Sequence, residues 1–193
     1  MQVHAANGYL IDQFLRDGAN HRTDAYGGAP ENRIRLLREV TERVASIAGA
    51  DRTSVRLSPN GDSQGVDDSD PASVFVPAAR ALGAIGIGFL ELREPGPDGT
   101  FGRTDVAKLS PLIRGAFAGP LVLNSDFAEE NAQAALDSGA ADAIAFGRTF
   151  LANPDLPERF RRRAPLNPSN PRTWYSQGPE GYVDYPTLEA VEA

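Results

Sequence analysis

Apolar residues along this chain follow two rhythms. Short compact runs at 53–57, 87–92, 121–123 and 141–146 are rich in Val, Ile, Leu and Phe and read as strands. Between them, apolar residues recur every three or four positions. In 31–47, Ile34, Leu37, Val40, Val44 and Ile47 fall on one stripe of a predicted helix, with Gly49 as its C-cap. Asp70-Pro71 supplies an N-cap and first-turn proline for a second helix ending near Gly83. Further helices are predicted over 104–117, with Val106, Leu109, Leu112 and Ile113 apolar, over 128–136, and from Asn153-Pro154 onward. Ser58-Pro59-Asn60-Gly61 is a turn signal.

Strands separated by single helices imply parallel βαβ units and an α/β fold. Four complete strands plus a stub at 1–3 make about half of a (β/α)8 barrel, and an open doubly wound sheet is the competing architecture. Polar residues gather at the C-terminal ends of the strands, where barrel active sites lie, and this favours the barrel. The expected organisation is a partial barrel over 1–164 and a tail over 165–193, rich in Pro, Gly and Tyr, lying across the surface.

Composition narrows the function. The chain has 193 residues, fewer than the roughly 250 of a complete barrel. A net charge of −7 with no basic stripe argues against nucleic-acid binding, and Arg161-Arg162-Arg163 reads as a helix C-terminus. With no cysteine there is no disulfide, thiolate zinc site or iron–sulfur ligation within these residues. No apolar stretch approaches about 18 residues, so no membrane span is expected. Neither is a signal peptide, and the expected compartment is the cytoplasm. Gly83, Gly86 and Gly88 precede a strand and do not form a dinucleotide fingerprint.

Three polar groups near the start share one chemical capacity. His4 and Asn7 can both donate hydrogen bonds to a carbonyl oxygen, and the Tyr9 phenol can deliver a proton beside it. Arg56, near a strand end, is either a fixed cation facing a developing negative charge or the partner of a neighbouring barrel carboxylate. Gly147-Arg148 ends the last predicted strand, where barrels often cradle a phosphate through glycine N–H groups and an arginine.

The whole chain resembles the C-terminal half of the Old Yellow Enzyme family of FMN-dependent ene-reductases. The likeness rests on His4-Ala-Ala-Asn-Gly-Tyr-Leu10, Asp12-Gln-Phe-Leu15, Arg22-Thr-Asp24 with Tyr26-Gly-Gly28, and Glu31-Asn-Arg33. It continues through Val55-Arg-Leu-Ser-Pro59, Ala145-Phe-Gly-Arg148, Asn153-Pro-Asp155, Glu180-Gly-Tyr182 and Asp184-Tyr-Pro-Thr-Leu188. The tail is similar to the branch that includes N-ethylmaleimide reductases.

The resemblance implies that His4 and Asn7 bind the oxygen of an electrophilic alkene and that Tyr9 protonates it. It implies that Arg56 faces the flavin ring, while Asn124, Ser125, Gly147 and Arg148 hold the FMN phosphate. Many family members carry glycine at 124 or 125. Gln64 and Tyr175 match substrate-pocket positions, whereas Trp174 and Tyr182 serve equally as packing residues. The 17–32 loop, with Arg22, Asp24 and Glu31, reads as a structural network. The hydride donor would be NADPH or NADH.

The family's first three strands are absent, leaving an apolar inner face and strand edges that a full barrel would cover. The chain is therefore expected to need its missing N-terminal half or to self-associate. The alternative is a non-catalytic half barrel unable to hold FMN alone. A relative carrying an iron–sulfur cluster is disfavoured by the lack of cysteine.

Overall fold

A computed structural model describes residues 1–100 and 102–189. Five strands pair in chain order, all parallel: β1 Gln2–Ala5, β2 Ser54–Leu57, β3 Phe89–Arg93, β4 Leu121–Asn124 and β5 Ala143–Ala145. The expected stub is thus a full strand that carries His4. One compact unit covers Met1–Ala145 and holds the sheet; a second covers Phe146–Ala193.

Successive strand residues point to opposite faces. Val3, Ala5, Val55, Leu57, Leu90, Leu92, Leu121 and Leu123 form the buried face of the sheet. They pack with residues of the helices α3 Arg35–Ala48, α4 Pro71–Ile85 and α5 Ser110–Ala116 in one apolar cluster. The first two helices are α1 Leu10–Leu15 and α2 Pro30–Arg33, and α6 Glu129–Asp137 lies between β4 and β5. The other sheet face carries Gln2, His4, Arg56, Glu91, Arg93 and Asn124. This corrects the expectation of an apolar inner face: the face away from the helices is predominantly polar.

Local chemistry explains where the helices depart from the sequence pattern. The segment expected as one helix over 31–47 is α2 and α3, joined at Ile34, whose ψ of −8° opens the turn. Its buried stripe includes Thr41, which satisfies its hydroxyl on the Leu37 carbonyl at 2.7 Å, whereas Ile47, expected on the stripe, is 71% exposed. Asp70 caps α4 as expected by accepting from the Ser73 N–H. The helix continues past Gly83, which lies against the Phe117 ring, and ends at Gly86 in the left-handed conformation.

The helix expected from residue 104 begins only at Ser110. The Glu94 carboxylate, just after β3, accepts from the N–H groups of Leu109 (2.6 Å) and Ser110 (3.1 Å) and so fixes the start. Pro111 follows in the first turn. Val106 is accordingly exposed, as is Leu112 on the outer side of α5, while Leu109 and Ile113 are buried.

Between α1 and α2 the expected structural network is present. Asn20 Nδ2 donates to the carbonyls of Phe14 and Tyr26, both at 2.7 Å, Arg22 pairs with Asp24, and Asn32 Nδ2 donates to the Gly27 carbonyl. Arg33 pairs with the buried Asp68.

The second unit holds α7 Arg148–Ala152 and α8 Leu156–Arg162. Asn153 does not start the last helix; it is the C-cap of α7, and Asp155 stands at the N-cap of α8. Arg159, buried, binds Asp155 at 2.7 Å and donates to the carbonyls of Pro165 and Pro186. Asn167 donates to the carbonyls of Ala152 and Pro186. These bonds tie the tail to α7 and α8, so the units divide after Ala145, whereas the sequence reading places its boundary at 164. Arg161 and Arg162 lie in the last turn of α8 and Arg163 caps it, as expected.

Candidate functional site

Strand register assembles a polar row across the first unit. His4 of β1 lies level with Arg56 of β2, Arg56 with Glu91 of β3, and Arg93 of β3 with Asn124 of β4. The Glu91 carboxylate accepts from Gln2 Nε2 at 2.8 Å and lies 3.2 Å from Arg56 Nε. That second contact is one of charge, because Arg56 Nε is buried without a hydrogen-bond partner. Arg56 Nη2 donates to Asn124 Oδ1, and Asn124 Nδ2 donates to the Ala145 carbonyl, both at 2.7 Å. Of the two readings of Arg56, the pairing with a sheet carboxylate is therefore present, and Nε still has hydrogen-bonding capacity.

The turn after β1 brings Asn7, Tyr9 and Gln64 together with His4. Asn7 and Gly8 take successive left-handed conformations, φ 58° and 77°. Asparagine tolerates this geometry better than most side chains, and glycine does so freely. A Cβ at Gly8 would meet the Ser63 carbonyl at 2.4 Å, so the turn also needs glycine for space. Beyond it, the Tyr9 ring lies 5.1 Å from the His4 imidazole and is 53% exposed. Gln64, itself at φ 58°, donates from Nε2 to the Asn7 carbonyl at 3.0 Å. The Asn7 amide oxygen is buried without a partner.

The electrostatics favour a neutral imidazole. Burial and then the Arg56 charge hold the His4 pKa below its ordinary value, against weaker opposing effects of Asp12 and Glu91. Near neutral pH, His4 thus presents one N–H donor and one acceptor without adding a second cation beside Arg56.

After β4, Ser125 and Asp126 adopt positive φ, 105° and 57°. The Asp126 carboxylate accepts from the Thr100 N–H at 3.1 Å. Ser125 occupies backbone geometry that glycine adopts without strain. Gly147, Arg148 and Tyr175 belong to the second unit. Gly147 caps α7, the Arg148 guanidinium lies 5.8 Å from the Trp174 ring centroid, and Trp174 donates to Ser169 Oγ. Tyr175 is 87% exposed.

Sequence reasoning passed over Gln2 and Glu91. Their signal was available in the two-residue rhythm, since Glu91 and Arg93 alternate with Leu90 and Leu92. It also passed over a cavity of about 380 Å³ between the loops after β2 and β3, lined by Asn60, Asp62, Asp67 and Asp105 among others. None of the predicted site residues lines it.

Residues 1–167 match the family described as NADH:flavin oxidoreductase / NADH oxidase. The chain is 41% identical to 12-oxophytodienoate reductase 2 of Arabidopsis thaliana, over 99% of its own length and 51% of that protein's. Among solved structures, the Old Yellow Enzyme homologue from Zymomonas mobilis is 62% identical with a TM-score of 0.95, covering 97% of this chain and 53% of that one. Morphinone reductase is 42% identical with a TM-score of 0.92, covering 100% and 51%. The chain spans about half the length of these relatives.

Proposed function

The chain belongs to the NADH:flavin oxidoreductase / NADH oxidase family, and we propose that it supplies one half of an FMN-dependent NAD(P)H ene-reductase. Its substrates on this reading are α,β-unsaturated carbonyl or nitro compounds. We assign it to the C-terminal half of the barrel. The support for that assignment is that β5 is followed, in described residues 146–189, by helices and turns with no strand.

The observation that carries the reading is the joint placement of His4, Asn7, Tyr9 and Arg56 on and beside one polar sheet face. The residues present suit a bound flavin and its substrates. Arg56 Nε and the Asn7 amide oxygen are buried polar atoms without hydrogen-bond partners, a capacity that a ligand can satisfy. A nicotinamide, which offers both a carbonyl and an N–H group, matches the mixed donors and acceptors of His4 and Asn7. Morphinone reductase has been solved in complex with tetrahydroNAD.

On this reading Arg56, Asn124 and Ser125 of the sheet-bearing unit hold FMN. When bound, FMN supplies the hydride for Cβ of the alkene, having received it from NADPH or NADH. His4 and the Asn7 amide hold the substrate oxygen and draw electron density toward it, which opens Cβ to hydride. Neutral His4 does so as a hydrogen-bond donor. Tyr9 gives its phenolic proton to Cα and regains one from solvent, so the alkene gains one hydride and one proton. Gln64, which donates to the Asn7 carbonyl, lines the substrate's approach.

Purified chain should retain flavin absorbance at ~450 nm after incubation with FMN and removal of the excess, and Arg56→Gln should weaken that retention. With the remaining half supplied, Tyr9→Phe should slow alkene reduction by about a hundredfold while leaving flavin reduction by NADPH unchanged. Equal alkene reduction by both forms removes Tyr9 from the role. A chain that neither retains nor binds FMN overturns the reading in favour of a non-catalytic half barrel.

A further inference from the structure

Beneath the His4–Asn7–Tyr9 turn lies a closed polar network that none of the roles above uses. The Asn7 N–H donates to Ser58 Oγ at 2.7 Å, and the Gly8 N–H donates to Asp12 Oδ2 at 2.9 Å. Ser58 Oγ in turn donates to Asp12 Oδ2 at 3.3 Å. Arg16 Nε donates to Asp12 Oδ1 at 2.9 Å, and Arg16 Nη2 donates to the Ser58 carbonyl. Asp12, Arg16 and Ser58 are all at most 1% exposed, and the guanidinium lies over the Phe75 ring.

Two features separate this network from ordinary helix stabilisation. An Asp–Arg pair one turn apart on α1 would gain little on a surface, and in the interior it carries a desolvation cost that often exceeds its attraction. Its oxygens are also divided: one serves Arg16, while the other serves a backbone N–H and a hydroxyl outside the helix. The two N–H groups gripped by Asp12 and Ser58 are those of the two left-handed residues. A turn of that kind persists only where its surroundings over-determine it.

We propose that Asp12, with Ser58, is a positioning residue that locks the left-handed Asn7–Gly8 turn and thereby sets the stance of Asn7 and Tyr9 relative to His4. This rests on the reading of that cluster as the substrate-oxygen site, since only there does its stance have a chemical consequence. Arg16 fixes the carboxylate, and Ser58 links the turn after β1 to the end of β2. A shift of about 1 Å in such a cluster can reduce turnover by about a hundredfold.

The test uses the 193-residue chain and needs no flavin. Ser58→Ala should raise amide hydrogen exchange at Asn7, and Asp12→Asn at Gly8, each by about five- to tenfold, the loss of one hydrogen bond. Exchange at Leu90 and Leu92 in the sheet centre should stay as in the wild type, and Ser58→Thr, which keeps the hydroxyl, should restore protection at Asn7. Asp12→Asn should also lower the His4 titration midpoint followed by NMR, because the nearby carboxylate opposes the other influences on that imidazole. Unchanged exchange at Asn7 and Gly8 overturns the proposal. So does equal acceleration of all amides, which would make the network a general structural support. Absence of FMN binding in the wild type, by contrast, defeats the functional reading and leaves the exchange result standing.

Discussion

His4 is held below its ordinary pKa by burial and by Arg56, so the unfolded chain takes up its proton first as pH falls. The stability associated with neutral His4 is complete above the unfolded pKa of about 6.5 and is lost as pH falls through the lower folded value. Urea denaturation at a series of pH values should show this acid loss in the wild type and a smaller one in His4→Gln; identical slopes would exclude His4 as the source. His4, Asn7 and Tyr9 were legible because they are close in sequence and share one chemistry. Glu91 was not, because its meaning comes from Gln2 and Arg56, which are neighbours only through strand register. Asp12 and Ser58 stood within recognisable motifs, but their junction joins residues 46 positions apart in sequence.

Elements are set as much by distant caps as by their own periodicity. The start of α5 was misread because residues 104–109 continue an apolar pattern, whereas the actual stop is a carboxylate on the preceding strand's end. Glu94→Ala should cost about 1–2 kcal/mol in thermal or urea unfolding, as for loss of an N-cap. Glu94→Gln is more diagnostic. Burial raises the Glu94 pKa against the hydrogen bonds that lower it. The folded chain therefore holds that proton longer, and stability declines as pH rises from the unfolded value of about 4.5 through the raised folded one. Glu94→Gln should keep much of the cap and remove this decline; a retained decline would place its origin elsewhere. The Asp70-Pro71 start of α4 was readable because its cap is local, and Asn153 was misassigned because α7 had left no clear periodic trace in five residues.

At the scale of the sheet-bearing unit, β1 and β5 each pair on one side only among the described residues. Unpaired strand edges invite further pairing. The isolated chain should therefore associate as its concentration rises, as followed by sedimentation velocity over a dilution series; a constant monomer would show that these edges are protected. The alternation of strands and helices was legible throughout, because each strand's apolar run is short and each intervening segment is long. The chemistry of the open face was not, because expecting it to be apolar overlooked the polar and charged residues that alternate with apolar ones along β1, β2 and β3. That alternation has a consequence for change over generations. Leu90 and Leu92 hold the sheet on its helices, while Glu91 and Arg93, one residue away, face the other side. A lineage can thus revise what such a sheet recognises by exchanging every other letter of a strand, leaving the letters between to keep the protein folded meanwhile.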